Sequence, residues 1–354
     1  MTRDVTVLVT AAGTVVAQGI MKSLRYANSK RGSPVRYRIV AADMSAQAAG
    51  LYRADLGVLV PPATSHDYLG SIIRICKKEN VTAVFAGAEE ELLVLECSAK
   101  RIESQTGAIV VTNSHEVITI GRDKWRTFEF LKKNGLPRAE SALPGRWRSF
   151  ISDFGLPIVV KPREGHGSIQ IHIARNSDEV ESAITRIRRS GGRPILQQHL
   201  EAEDEEFTSG VMSDRNAGII SSITMRRTLK GGQTYKAFVD DFPEVRKSAE
   251  KVAAAIGSRG PLNVQARMSG GEPKIFEINP RFSASCPIRA VAGVNEPDIL
   301  YRNWVLGERV RLEVYRKIVS FRYWNEVYVT RSTYEDTARE GTTGGRKSSI
   351  PDYF

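Results

Sequence analysis

A doubly wound, parallel α/β sheet followed by a separate α+β unit is the fold class that this 354-residue sequence predicts. Three observations carry it. Short apolar runs alternate with helix-period stretches from residue 5 to residue 111, the pattern of strands joined by crossover helices. After a loop at residues 144–148, strands dominate, with amphipathic helices between some of them. Late in that second region Phe276-Glu277-Ile278-Asn279 alternates apolar and polar, so the carboxylate and the carboxamide share one face of a strand.

Taken in order, residues 5–10 read as a buried strand, and Ala11-Ala12-Gly13 leads to a helix near 16–26. Strands at 37–42, 56–60, 83–86 and 109–111 follow, with helices at 68–78 and 91–102. Gly13, Asp43, Glu89 and Glu91 then fall near the carboxyl ends of strands, where such sheets collect ligands. Gly13 opens no Gly-x-Gly-x-x-Gly fingerprint, which argues against a dinucleotide site. A helix at 123–134 is stopped by Gly135, with Pro137 just beyond.

The second unit should hold strands at 158–161, 169–173, 195–198, 207–212, 218–225, 262–268 and 274–278. Its helices at 178–189 and 244–256 show buried stripes, Val180-Ala183-Ile184-Ile187 and Val245-Ala249-Val252-Ala253. Residues 318–330 are strand-like, and 339–349, rich in Gly, Thr and Ser, are expected to be mobile. The expected division is an N-terminal domain at 1–115, a two-lobed domain at 116–310 split near 195/196, and a C-terminal segment at 311–354.

Composition narrows the function classes. A hydrophobic content of 41% suits a folded enzyme, and no apolar run reaches the roughly eighteen residues of a membrane span. Asp4 and the interrupting threonines make the opening a strand rather than a signal peptide. Three widely spaced cysteines argue against a disulfide framework or a cysteine zinc site, and fit the reducing cytoplasm. The net charge of +11 calls for anionic partners, but the basic residues are scattered. A small anion such as a nucleotide accounts for that charge better than nucleic acid does.

The chemistry-bearing stretches point the same way. Lys161-Pro162-Arg163-Glu164-Gly165-His166-Gly167-Ser168 joins two strands, with an ammonium, turned backbone N–H groups and a hydroxyl for phosphate. The lysine precedes the glycines, so this is no Walker A loop. Gln197-Gln198-His199-Leu200 offers amides and backbone to a base, Glu206 accepts from sugar hydroxyls, and Lys124 adds a cation. Glu277 and Asn279 suit Mg²⁺, and Arg281, placed on a turn by Pro280, suits a phosphate or carboxylate.

In this order, over about residues 5–310, these features resemble the ATP-grasp superfamily, in the branch holding carbamoyl phosphate synthetase large subunits, biotin carboxylase and carboxylate-amine ligases. The resemblance implies a doubly wound pre-ATP-grasp domain followed by two α+β lobes that grip ATP. It implies phosphate contacts from Lys124 and Lys161 and a closing loop bearing Gly165, Gly167 and Ser168. Gln197, Gln198, His199 and Leu200 become the adenine hinge, and Glu206 the ribose contact. Gln265, Glu277 and Asn279 become ligands for Mg²⁺ or Mn²⁺. Arg281 and Lys161 become catalytic cations, joined by Arg227, although neighbouring Arg226 leaves that register open. Two residues depart from the family pattern: Gln198 stands where many relatives have glutamate, and Gln265 where some branches have an acid.

The activity implied is ATP-dependent ligation. A carboxylate is phosphorylated to an acyl phosphate, an amine displaces phosphate to give an amide, and ADP is released. The alternatives are a bicarbonate- or carbamate-phosphorylating enzyme, disfavoured because duplicated halves and a biotin carrier are not seen, and a non-catalytic ATP-binding protein. The partners implied are small-molecule carboxylates and amines, without nucleic acid or membrane. A homodimer is compatible with the family but not specified by any residue.

Overall fold

The computed structural model describes residues 2–165, 169–200, 206–310, 315–323, 325–345 and 348–350. The first elements are β1 (Arg3–Val9), α1 (Val15–Asn28), β2 (Val35–Asp43), β3 (Leu56–Leu59), α2 (Tyr68–Lys78), β4 (Val81–Phe85), α3 (Glu89–Cys97), α4 (Ala99–Thr106) and β5 (Ile109–Val111). Their strands lie in the order β3-β2-β1-β4-β5, every neighbouring pair parallel. This is the predicted doubly wound sheet.

Central β1 is apolar on both faces because helices cover both. Val7 and Val9 pack with Ile20 and Leu24 of α1, while Leu8 packs opposite with Ile72 of α2 and Leu92 of α3. The strand order reverses between β1 and β4, so the loops after these strands meet at one crevice. Gly87 is required there, since a Cβ would lie 2.0 Å from the Thr10 carbonyl oxygen. The single helix expected at 91–102 is two, α3 and α4, with Ser98 between them.

Next come α5 (His115–Arg122), α6 (Lys124–Lys133), β6 (Ser141–Ala142), α7 (Trp147–Phe154), β7 (Ile158–Pro162), β8 (His172–Ala174), α8 (Ser177–Arg189) and β9 (Pro194–Gln198). An antiparallel sheet of order β6-β9-β7-β8 results. The predicted stripe of α8 is buried in that sheet's core with Ile158, Val160 and Leu196. The α8 arginines Arg186, Arg188 and Arg189 are exposed in the last turn, where they complement the helix dipole. The strand expected at 169–173 shortens to β8, because Gln170 takes a φ of 56° and turns the chain.

The remaining elements are β10 (Glu206–Ser213), β11 (Ile219–Lys230), β12 (Gln233–Val239), α9 (Pro243–Ile256), β13 (Gly260–Ser269), β14 (Glu272–Asn279), α10 (Cys286–Ala292), α11 (Glu296–Trp304), β15 (Ile318–Phe321), α12 (Arg331–Glu340) and β16 (Thr342–Gly344). A fully antiparallel sheet runs β14-β13-β10-β11-β12-β15. Strand β12 escaped the sequence reading, although Gly231-Gly232 signals it. Both glycines have positive φ, 58° and 72°, and Lys230 stands opposite Gln233 across a two-residue turn.

Part of the segment expected to be mobile has a defined place. Thr342–Gly344 pairs antiparallel with β3 and covers the edge of the first sheet. Strand character in 318–330 is confined to β15, which pairs with β12. Among the described residues, no helix is long and apolar enough to cross a membrane.

Candidate active site

A cleft of about 1100 Å³ is lined by all three sheets and their loops. Its wall takes Gly13, Gly87 and Glu89 from the crevice of the parallel sheet, Lys161 and Gln197 from β7 and β9, and Glu206, Arg227, Gln265, Glu277 and Asn279 from the large antiparallel sheet.

Register explains the oxygen-rich patch. Gln265 of β13 stands opposite Glu277 of β14, and Asn263 opposite Asn279. The two-residue period then turns Asn263, Gln265 and Arg267 toward the cleft beside Glu277 and Asn279. Arg281 Nη2 donates to Asn279 Oδ1 at 3.1 Å and Nη1 to the Phe282 carbonyl at 3.1 Å, which fixes the guanidinium beside the patch. One carboxylate and two amide oxygens on paired strands form a hard donor set that fits Mg²⁺.

The cations come from the other wall. Lys161 is 5% exposed, and its Nζ donates to Gln197 Oε1 at 2.7 Å. Gln197 Nε2 in turn donates to Ser141 Oγ at 3.1 Å. Burial, joined by repulsion from Lys124, pulls the Lys161 amine down to about 7 against the opposing pull of Glu277 and Glu206. Lys124 opens α6 and donates through Nζ to the Gly165 carbonyl at 2.7 Å.

The cap of α6, Asp123, accepts from the backbone N–H groups of Trp125 and Arg126 and from Arg163 Nη2 at 2.5 Å. It thus ties the helix to the segment after β7. Burial pushes the Asp123 carboxyl up, but the Arg163 bond and the N–H groups outweigh it and hold the net value below the usual range. Gly167 and Ser168 lie outside the described residues.

Glu206 sits between two arginines. Its Oε1 accepts from Arg227 Nη2 at 2.8 Å and Nε at 3.1 Å, and its Oε2 from Arg267 Nη2 at 3.0 Å. Arg227 Nη1 also donates to Thr234 Oγ1 at 3.1 Å. The register left open by the sequence is thereby settled. Arg227 lines the cleft, whereas Arg226 points away, its guanidinium 5.1 Å from the Phe238 ring centroid.

Arg267 was missed, although it lies two residues beyond Gln265 on the same strand face. Also missed was an apolar wall of Ile169, Ile171, Ile173, Leu229 and Phe276. The alternating isoleucines after the glycine loop were its signal in the sequence. At the hinge, the Leu200 carbonyl accepts from Arg267 Nη1 at 3.1 Å, and His199 Nδ1 is buried without a partner among the described residues.

Several expectations fail. Arg289, a further cation close to Arg281 in sequence, is fully buried outside the cleft wall. It pairs with Glu296 Oε1 at 2.8 Å and donates to Thr208 Oγ1 at 2.9 Å and Asn263 Oδ1 at 2.8 Å. Asp43 and Glu91 do not line the cleft either. Asp43 accepts from the backbone of Gly13 and Ser45, while Glu91 accepts from Tyr68 and Thr10. Burial raises the Glu91 carboxyl. Cys286 packs in the core, with its thiol donating to the Ser283 carbonyl.

This geometry meets two family models. Residues 7–111 match the PylC-like N-terminal domain, and residues 194–326 match the model described as ATP-grasp in the biosynthetic pathway with Ter operon. The chain belongs to the ATP-grasp superfamily. Among curated relatives of this ATP-grasp chain, the carbamoyl phosphate synthase large chain of Mycobacterium sp. (strain JLS) is 27% identical over 202 residues. That match spans 53% of this chain and 18% of the relative. The corresponding protein of Rubrobacter xylanophilus is 25% identical over 276 residues, 71% of this chain and 24% of the relative. The aligned part is thus less than a quarter of the length of either.

Two solved structures share the fold. One is the biotin carboxylase domain dimer of Hydrogenobacter thermophilus 2-oxoglutarate carboxylase, in complex with MgADP, ADP and bicarbonate. Its TM-score is 0.67 at 19% identity, covering 88% of this chain and 72% of that one. The other is N5-carboxyaminoimidazole synthetase from Staphylococcus aureus complexed with ADP, with a TM-score of 0.67 at 15% identity and 96% and 86% coverage. At such identities the likeness is one of fold.

Proposed function

We propose that this protein is an ATP-dependent ligase that joins a carboxylate to an amine through an acyl phosphate, releasing ADP and phosphate. The observation that carries the reading is the meeting, in one cleft, of Lys124, Lys161 and Arg281 with the oxygen donors Gln265, Glu277 and Asn279. Bringing a carboxylate to a triphosphate means bringing anions together, so catalysis here is mainly charge neutralisation and alignment.

In this reading adenine lies between the isoleucine wall and residues 197–200. Glu206, its charge shared by two arginines, keeps lone pairs for ribose hydroxyls. Lys124 and Lys161 hold phosphate oxygens, and Gly165, with Gly167 and Ser168, belongs to the covering loop. Glu277, Asn279 and Gln265 hold Mg²⁺ or Mn²⁺, which neutralises phosphate charge when bound. Arg281 steadies the carboxylate as it attacks the γ-phosphorus and then the acyl phosphate as the amine displaces phosphate. Arg227, held by Glu206, serves as an orienting cation on the same wall. The ADP present in both structural neighbours supports the nucleotide assignment.

The test is Mg²⁺-dependent ADP release across a panel of carboxylic acids, each with and without amine acceptors. Arg281→Ala should still bind ATP while ADP release falls at least about a hundredfold. Unchanged turnover in that variant removes Arg281 from the chemistry. The bicarbonate-bound neighbour supports a second reading. Bicarbonate-dependent ADP release without any organic acid would assign it.

A further inference from the structure

The parallel-sheet domain carries a side-chain cluster that the cleft does not use. Glu96 and Cys97 end α3, and His115 opens α5. Cys97 Sγ lies 3.7 Å from His115 Nδ1, and Glu96 Oε2 approaches the same nitrogen at 3.7 Å. The three ligand atoms all fall within 4.8 Å of one another. None of these residues lines the cleft, so the cluster is separate from the oxygen patch at Gln265, Glu277 and Asn279.

Packing brings the three together. Leu92 and Leu95 of α3 share a core with Ile118 of α5. Glu96 follows Leu92 by four residues and His115 precedes Ile118 by three, so each stands on the core-facing side of its helix, at the rim of the shared contact. The spacing of 3.7 Å between sulfur and nitrogen is close to the ~3.6 Å edge of a tetrahedron built with ordinary Zn–S and Zn–N bonds. One thiolate and one carboxylate cancel the charge of a divalent ion, and imidazole adds a neutral donor. Thiolate and imidazole together select zinc over Mg²⁺, which prefers oxygen. Cys97 and His115 are exposed and Glu96 is half-buried, so an ion reaches them from solvent. The wide spacing of the cysteines argues against a site of several thiolates, but this one needs a single thiolate.

We propose that Glu96, Cys97 and His115 bind a zinc ion, with water in the fourth position, and that the ion ties α3 to α5. Helix α5 packs in turn on the end of β14, where a Cβ on Gly121 would lie 2.7 Å from Pro280 Cδ. The ion therefore fastens the helix that follows β4 to one that rests against the large antiparallel sheet. The proposal is independent of the ligase reading.

The full chain, freed of metal by a chelator and kept reduced with a phosphine, is titrated with Zn²⁺ against a chromophoric chelator and with Co²⁺ by absorption. The expected result is one tightly bound ion, a thiolate-to-cobalt charge-transfer band and the visible bands of tetrahedral cobalt. Saturating Zn²⁺ should raise the unfolding midpoint by at least about 2 °C. Cys76 and Cys286 are buried, so the charge-transfer band reports Cys97. Cys97→Ser should abolish that band, and Cys97→Ser and His115→Ala should each weaken Zn²⁺ binding at least about tenfold. Metal-free unfolding midpoints equal to wild type show that the variants fold. Zinc affinity unchanged in both variants, a cobalt spectrum without the thiolate band, or displacement of Zn²⁺ by equal Mg²⁺ overturns the proposal.

Discussion

The Lys161 amine and the Gln197 side-chain oxygen are 2.7 Å apart, and a neutral amide is the only hydrogen-bond partner of this amine among the described residues. Burial, first of all, holds the amine near neutrality, at about 7. A docking triphosphate favours its charged form and raises that value. Below about pH 7 the amine is protonated before binding, and affinity should be flat. Above it, binding takes up a proton, and Kd should rise by up to about tenfold per pH unit until the pKa of the complex is reached. Calorimetry of MgADP or MgATP binding from pH 6 to 9 measures the slope. In Lys161→Met the slope should vanish along with part of the affinity; a slope that survives assigns the proton elsewhere.

Gln265 and Glu277 face each other across antiparallel β13 and β14, with Asn279 two residues on. Glu277→Gln keeps the shape and removes the one charge of the proposed metal set. The Mg²⁺ concentration for half-maximal ADP release should rise by at least about tenfold. Mn²⁺, softer and better suited to amide ligands, should recover more of the activity than Mg²⁺. A metal titration of both proteins gives the answer, and coincident curves would move the metal off this pair.

The buried pair Arg289–Glu296 exists because residue 210 is glycine. A Cβ there would lie 1.8 Å from Glu296 Oε1 and 2.5 Å from Arg289 Nη1. Burial raises the Glu296 carboxyl, with Arg289 opposing it, so the charged pair depends on its close geometry. Glu296→Ala should cost about 3–5 kcal/mol by leaving an uncompensated guanidinium. Gly210→Ala should lose stability by forcing the pair apart. The double change Arg289→Met with Glu296→Leu should recover most of the loss, because apolar replacements leave no buried charge. Urea unfolding of the four proteins orders these effects. A Glu296→Ala midpoint equal to wild type would show that water reaches the pair.

Much of the site was legible because its spacing is local. Glu277 and Asn279 share a face by strand period alone, and the helix that carries Lys124 is marked by its stop at Gly135. The glycine-rich segment after Lys161 is equally local, although residues 166–168 lie outside the described ones. Gly231-Gly232 was equally local, and β12 went unread although its turn chemistry was in view. Arg226 and Arg227 were different. They are neighbours in sequence, and only the pairing of β11 with β10 puts Arg227 against Glu206 and sends Arg226 to the other face.

The sequence by itself determined the order of the two units, the types of side chain at the oxygen patch, and the excess of positive charge, because these follow from period, residue chemistry and composition. The tertiary structure decided which charges are spent on one another. Glu206 is shared by Arg227 and Arg267, Arg289 is withdrawn into the core with Glu296, and Glu89 faces the cleft without a partner among the described residues. Such pairings depend on sheet register and on burial between residues far apart in the chain. No local spacing encodes them, since Coulomb attraction and desolvation act through the distances that packing sets.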